Sequence, residues 1–156
     1  WLWGMAVVIL ALLNYSVWQK ERLLANGATV LLELAPRDPR SLMQGDYMVL
    51  RYHVANDIGN AVKERNFDGR AVIALDADGV GRFARLAGNG TLAANERHLF
   101  FRKRGRAVRL GAEAFFFEEG RAGQYQPAKY GELTVAADGE AVLTGLRDAR
   151  RAPLGR

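Results

Sequence analysis

Residues 1–18 carry no charged side chain, and the first ion in the chain is Lys20. At about 1.5 Å per helical residue this run spans roughly 27 Å, close to the hydrocarbon thickness of a bilayer. Trp1 and Trp3 at one end and Tyr15 and Trp18 at the other are placed like interfacial aromatic belts. Two other homes for such a run are a buried core helix and a cleaved signal peptide. No small-x-small cleavage site follows, and Trp18-Gln19-Lys20-Glu21-Arg22 continues the helical pattern. Asn26-Gly27 is a usual pair for ending a helix. The expectation is therefore a transmembrane helix with its juxtamembrane extension over 1–25. Lys20 and Arg22 follow the span, and charge alone leaves its orientation open. Asn14, the strongly polar side chain in the run, belongs near the headgroups.

Beyond the helix the period changes to two. Ala28 to Ala35 reads as a strand, and Pro36-Arg37-Asp38-Pro39-Arg40 as a rigid corner, because each proline fixes its own φ and restricts its predecessor. Ser41 to Gln44 suits one helical turn. In Tyr47 to Val54, read as a central strand, alternation puts Met48, Leu50, Tyr52 and Val54 on the core face and Tyr47, Val49, Arg51 and His53 on the other. Asn56-Asp57 offers a cap for a short surface helix reaching Arg65. Residues 71–75 and 81–86 flank Asp76-Ala77-Asp78-Gly79, a hairpin turn with glycine placed for positive φ. Residues 97–102 and 107–110 flank a second turn at Gly105, 113–117 form a short strand, and 131–136 and 140–146 flank Ala137-Asp138-Gly139. This spacing predicts a mainly β domain over 28–146, an antiparallel sheet or barrel, with a loosely ordered basic tail over 147–156.

With no cysteine, disulfides, thiolate nucleophiles and Cys-ligated metals are excluded. The net charge of +5 is unevenly spread: residues 97–109 hold six Arg or Lys and no acid, and 147–156 hold four Arg against one Asp. Arg102, Lys103, Arg104, Arg106 and Arg109 are thus candidates for docking on an acidic protein surface or on anionic lipid headgroups. Phe100 and Phe101 lie among these cations, a mixture also found in nucleic-acid binders, but no recognised nucleic-acid motif accompanies it and nucleic acid is not an expected partner. His53 and His98 sit in no metal-ligand spacing, and no metal or cofactor is expected. Glu118 and Glu119 are adjacent and point apart on a strand end, so they make an acidic loop, pairing with Arg121 or the basic hairpin, rather than an acid/base dyad.

Gly45-Asp46-Tyr47, two residues, Leu50, one residue and Tyr52 spell GDYXXLXY. With the Asp38-Pro39-Arg40 corner, the Phe115 to Gly120 stretch and the Asp138-Gly139 hairpin, the chain resembles the GDYXXLXY family of bacterial membrane-anchored proteins. The resemblance implies an inner-membrane protein whose domain lies in the periplasm, and it implies no substrate. A weaker similarity, to type I signal peptidases, fails on chemistry. Aligning Gly45-Asp46 with their Gly-Asp sets Arg37 where the nucleophilic serine should stand, and no lysine is in place as its base.

Two functions follow as expectations. One is a non-catalytic accessory subunit of a larger integral membrane-protein complex, held by its span in the lipid bilayer and docking its β domain outside. The other is a periplasmic ligand-binding module or cryptic enzyme, with Asp46, Tyr47, Arg51 and Glu119 beside the motif as its candidate residues. Arg51 and Tyr47 share a face and could hold an anion. A concave pocket bounded by the motif and the loop over 118–125 favours the second, and a flat motif favours the first.

Overall fold

The computed structural model describes residues 1–36 and 47–155. The expected helix is α1, Leu2–Asn26, and it ends at the predicted Asn26-Gly27 pair. Its large side chains from Trp3 to Trp18 are all 48–88% exposed. Among the described residues no helix is long and apolar enough to cross a membrane. The side chains described in α1 run unbroken only from Trp3 to Trp18, roughly 24 Å of helix.

Among the described residues nine strands and a second α-helix follow: β1 (Ala28–Glu33), β2 (Tyr47–Val49), α2 (His53–Ala61), β3 (Asn66–Leu75), β4 (Gly81–Leu86), β5 (Glu96–Arg104), β6 (Ala107–Arg109), β7 (Ala114–Phe116), β8 (Tyr130–Val135) and β9 (Ala141–Arg147). They form a mainly β fold of three antiparallel units, ordered β1-β8-β9, β2-β7 and β4-β3-β5-β6. A parallel bridge from Leu31 to Val80 joins the first sheet to the four-stranded one. Between them lies one core that includes Val30, Leu32, Ile73, Leu99, Phe101 and Leu133, each wholly buried. The three expected hairpins are present, and Gly79 has the anticipated positive φ of 78°.

The strand expected over 47–54 is the main departure. Pairing with β7 stops at Val49; Leu50 N then donates to Glu113 O (2.6 Å), Ala35 N donates to Arg51 O (2.8 Å), and Tyr52 bridges to Leu34. The chain thus passes from one strand partner to another while staying extended. That is why the predicted alternation survives: Met48, Leu50, Tyr52 and Val54 are buried, and Tyr47, Val49, Arg51 and His53 are exposed. The helix begins at His53 rather than Asn56 and ends at Ala61. Its N-cap is Tyr52, with no side-chain cap bond, so Asn56-Asp57 is not the cap. Val54 and Ile58, one turn apart, are its buried stripe.

The tail expected to be loosely ordered is folded back. Asp148 Oδ1 accepts from Arg150 N and Ala152 N (both 2.8 Å), Leu154 N donates to Leu146 O (2.9 Å), and Arg151 pairs with Asp78 (2.9 Å). An Asx-type turn and the free edge of β9 hold it. The expected 41–44 turn and most of the Pro36–Arg40 corner lie outside the described residues.

Candidate functional site

Two residues of the motif are structural. Tyr52 is 1% exposed, and its hydroxyl donates to Ala112 O at 2.5 Å. Its ring lies against Gly131 of β8, where an added Cβ would stand 2.8 Å from Tyr52 Cε1. Burial, with Glu113 nearby, pushes the Tyr52 phenol far above the usual tyrosine range. Leu50 is buried beside it and bonds the same 112–113 loop through its backbone. The motif thus ties β2, β7, β1 and β8 together.

The other residues face outward. In the β2–β7 ribbon Tyr47 opposes Phe116 and Val49 opposes Ala114. Tyr47 and Phe116 stack with centroids 5.9 Å apart, and Tyr47, Val49 and Phe116 are 38%, 40% and 73% exposed. The inward side of β7 carries Phe115, whose ring meets Tyr125 at 4.9 Å, while Phe117 meets the same tyrosine at 5.5 Å.

Beside this ribbon opens a cleft of about 260 Å³, lined by Leu34, Pro36, Met48, Leu50, Arg51, Tyr125, Ala128 and Lys129, among others. Its walls are mostly apolar and two cations line it. Lys129 is spoken for by Glu33 (3.0 Å), and that hydrogen bond holds the Glu33 carboxyl below its ordinary range. Arg51 makes no side-chain hydrogen bond or ion pair among the described residues. A second cleft, about 400 Å³, lies across β1 and is lined by Glu33, His53, Asp57 and Arg82.

The predicted site residues therefore separate. Arg51 lines the first cleft; Tyr47 lies on the exposed ribbon and does not line it. Glu119 is exposed on the loop and does not line it either, while its neighbour Glu118 pairs with Arg121 (2.8 Å). Asp46 lies outside the described residues. The loop reaches the cleft instead through Tyr125, at the end of a short 3-10 helix over Ala122–Tyr125. The loop expected to bound a pocket, 118–125, thus does so at its last residue, while neither Tyr125 nor Lys129 was singled out from the sequence as a lining side chain.

The basic cluster divides as well. Lys103 is not available for docking: it is 7% exposed, and its Nζ donates to Gly59 O (2.8 Å) and Val62 O at the end of α2. Alternation along β5 sets it on the buried face of Leu99 and Phe101. Arg104 is engaged bidentately by Asp68, whose carboxyl it holds below the ordinary range. Arg102, Arg106 and Arg109 are exposed. Among the described residues no three His, Asp or Glu side chains converge as metal ligands.

The fold and this site define a class: a β-rich protein in which one eight-residue stretch supplies inward side chains to the core and outward ones to a surface ribbon and cleft. The chain belongs to the GDYXXLXY protein family, whose profile matches residues 9–146. Among curated proteins and among solved structures, nothing matches the chain.

Proposed function

We propose that this protein is a non-catalytic accessory subunit, anchored by α1 as a single-pass protein in the bacterial inner membrane and docking its β domain on the periplasmic side of a larger membrane-protein assembly. The observation that carries the reading is the exposure of the large apolar side chains of α1, from Trp3 to Trp18, on all sides of the helix. A helix apolar all round needs an apolar surrounding, and a bilayer provides one. The uncharged part of α1, Leu2 to Gln19, rises about 27 Å, close to the roughly 30 Å of hydrocarbon. The ribbon of Tyr47, Val49 and Phe116 fits the docking role, since exposed aromatics beside a polar rim are the usual anchors of protein interfaces. Extraction in mild detergent followed by native mass measurement tests this reading. A defined larger species that shrinks with Tyr47→Ser and Phe116→Ser supports it, and a protein that always runs alone overturns it.

The cleft beside the motif favours a second reading, a ligand-binding module. Its apolar walls suit a small anion with an apolar body, as does Arg51, which has no side-chain partner among the described residues. Loss of function in a complementation assay with Arg51→Ala but not with Phe116→Ser selects this reading over the first.

A further inference from the structure

We propose that the outer face of β3, β5 and β6 binds the phosphate headgroup of an anionic phospholipid, in the leaflet from which the domain emerges. The site is built around Phe100. Strand register sets Arg70 of β3 opposite Phe100 of β5, and Arg102, two residues along the same face, opposite Arg109 of β6. The Arg102 guanidinium lies over the Phe100 ring, 5.5 Å from its centroid. Like charges directly opposite on neighbouring strands repel. Neither Arg102 nor Arg109 makes an ion pair among the described residues. Asp68, which faces Arg102 across the sheet, has both oxygens engaged by Arg104. A phosphate between the two guanidinium groups would relieve that repulsion with bidentate hydrogen bonds.

The position of this cluster favours a lipid over a soluble anion. β1 starts at Ala28, two residues past the end of α1, and pairs there with Val135 of β8. From Val135 the chain enters the turn before β9. In that turn Gly139 O accepts from Phe100 N (2.8 Å) and Asp138 O accepts from Arg70 Nε (2.6 Å). One strand pair and one turn therefore connect the foot of α1 to Arg70, Phe100 and Arg102. The inference rests on the anchor reading above: with α1 in the bilayer, this face lies towards the headgroups. Arginines flanking a half-buried phenylalanine suit that boundary, the ring towards the acyl region and the charges at the phosphates.

The test uses the full chain in nanodiscs of equimolar phosphatidylglycerol and phosphatidylcholine, with lipids retained on the ejected protein counted by native mass spectrometry. Wild-type protein is expected to retain phosphatidylglycerol preferentially. R102Q/R109Q should lower that preference about fivefold for each arginine removed, while R150Q, an exposed arginine on the tail, leaves it unchanged. Equal preference in wild type and R102Q/R109Q overturns the proposal, as does an equal fall in R150Q, which would mean unspecific charge. Loss of a co-purifying acidic protein in R102Q/R109Q at unchanged lipid preference also overturns it, in favour of protein docking. Failure of the wild type to enter discs of phosphatidylcholine alone refutes the anchor, and the lipid site with it. Entry into those discs with no preference in mixed ones refutes the lipid site alone.

Discussion

Replacing Tyr52 by Phe removes one oxygen from the centre of the fold and nothing else. The Tyr52 hydroxyl donates to Ala112 O, and the residue is 1% exposed, so water cannot take its place. A buried acceptor left without its donor costs about 1–3 kcal/mol, and about 2 kcal/mol is expected here. For a domain of this size that is a fall of about 1 M in the urea midpoint. Far-UV circular dichroism is the suitable probe, because Trp1, Trp3 and Trp18 all lie before β1 and report on the helix rather than the β domain. The variant also carries a pH signature. Burial raises the folded-state phenol above the unfolded value of about 10, so the native state holds its proton more tightly. Tyr52 contributes stability below pH 10 that is lost as pH climbs above it. Wild type should therefore lose stability faster than Tyr52→Phe above pH 10, and the difference between them should narrow. Gly131→Ala should be at least as costly as Tyr52→Phe, since its Cβ meets the same ring. By contrast Tyr47→Ser, on the exposed ribbon, should change stability by about 0.5 kcal/mol or less. A midpoint shift under about 0.3 M for Tyr52→Phe, or an equal one for Tyr47→Ser, would refute the division of the motif into an inward and an outward half.

Lys103→Met should destabilise the protein by about 2 kcal/mol, seen as a lower urea midpoint, because Gly59 O and Val62 O lose a shared charged donor. Glu96 is held down to about 2 by its hydrogen bonds to Arg85 and then to Ala93 N, so its contribution is present above the ordinary carboxylate range and lost as pH falls from about 4.5 towards 2. Glu96→Gln should flatten the acid limb of the stability curve in that window, and an unchanged limb would contradict the pairing. Deleting residues 148–155 should lower the thermal midpoint by several degrees, since the tail closes on Leu146 and Asp78; a loosely ordered tail would leave it unchanged.

Much of this arrangement is readable from local pattern. Strict alternation from Met48 to Val54 identifies the buried half of the motif, and the glycine-bearing turns at 79, 105 and 139 mark the hairpins. The alternation says nothing of which strand pairs with which, and so hides the change of partner at Leu50 and the early start of α2 at His53. Lys103 illustrates another limit. Its charge argued for the surface, while its place in β5 aimed it at the carbonyls ending α2, a contact between elements 41 and 44 residues apart. The cleft is hidden for the same reason: Leu34, Arg51 and Tyr125 come from three separate segments, and no spacing in the chain relates them. The tail, basic and terminal, was expected to be loosely ordered, but Asp148 turns it back and contacts with Leu146 and Asp78 hold it there.

Membrane extraction tests the proposed burial of α1 in a bilayer most directly. Washing membranes that carry the full chain with alkaline carbonate separates integral from peripheral proteins. The wild type is expected to remain in the pellet, and Val8→Arg with Leu12→Arg, two charges at the middle of the apolar run costing about 5–7 kcal/mol together, should move it to the supernatant. Release of the wild type into the wash, or retention of the doubly charged variant to the same extent as wild type, would contradict the anchor.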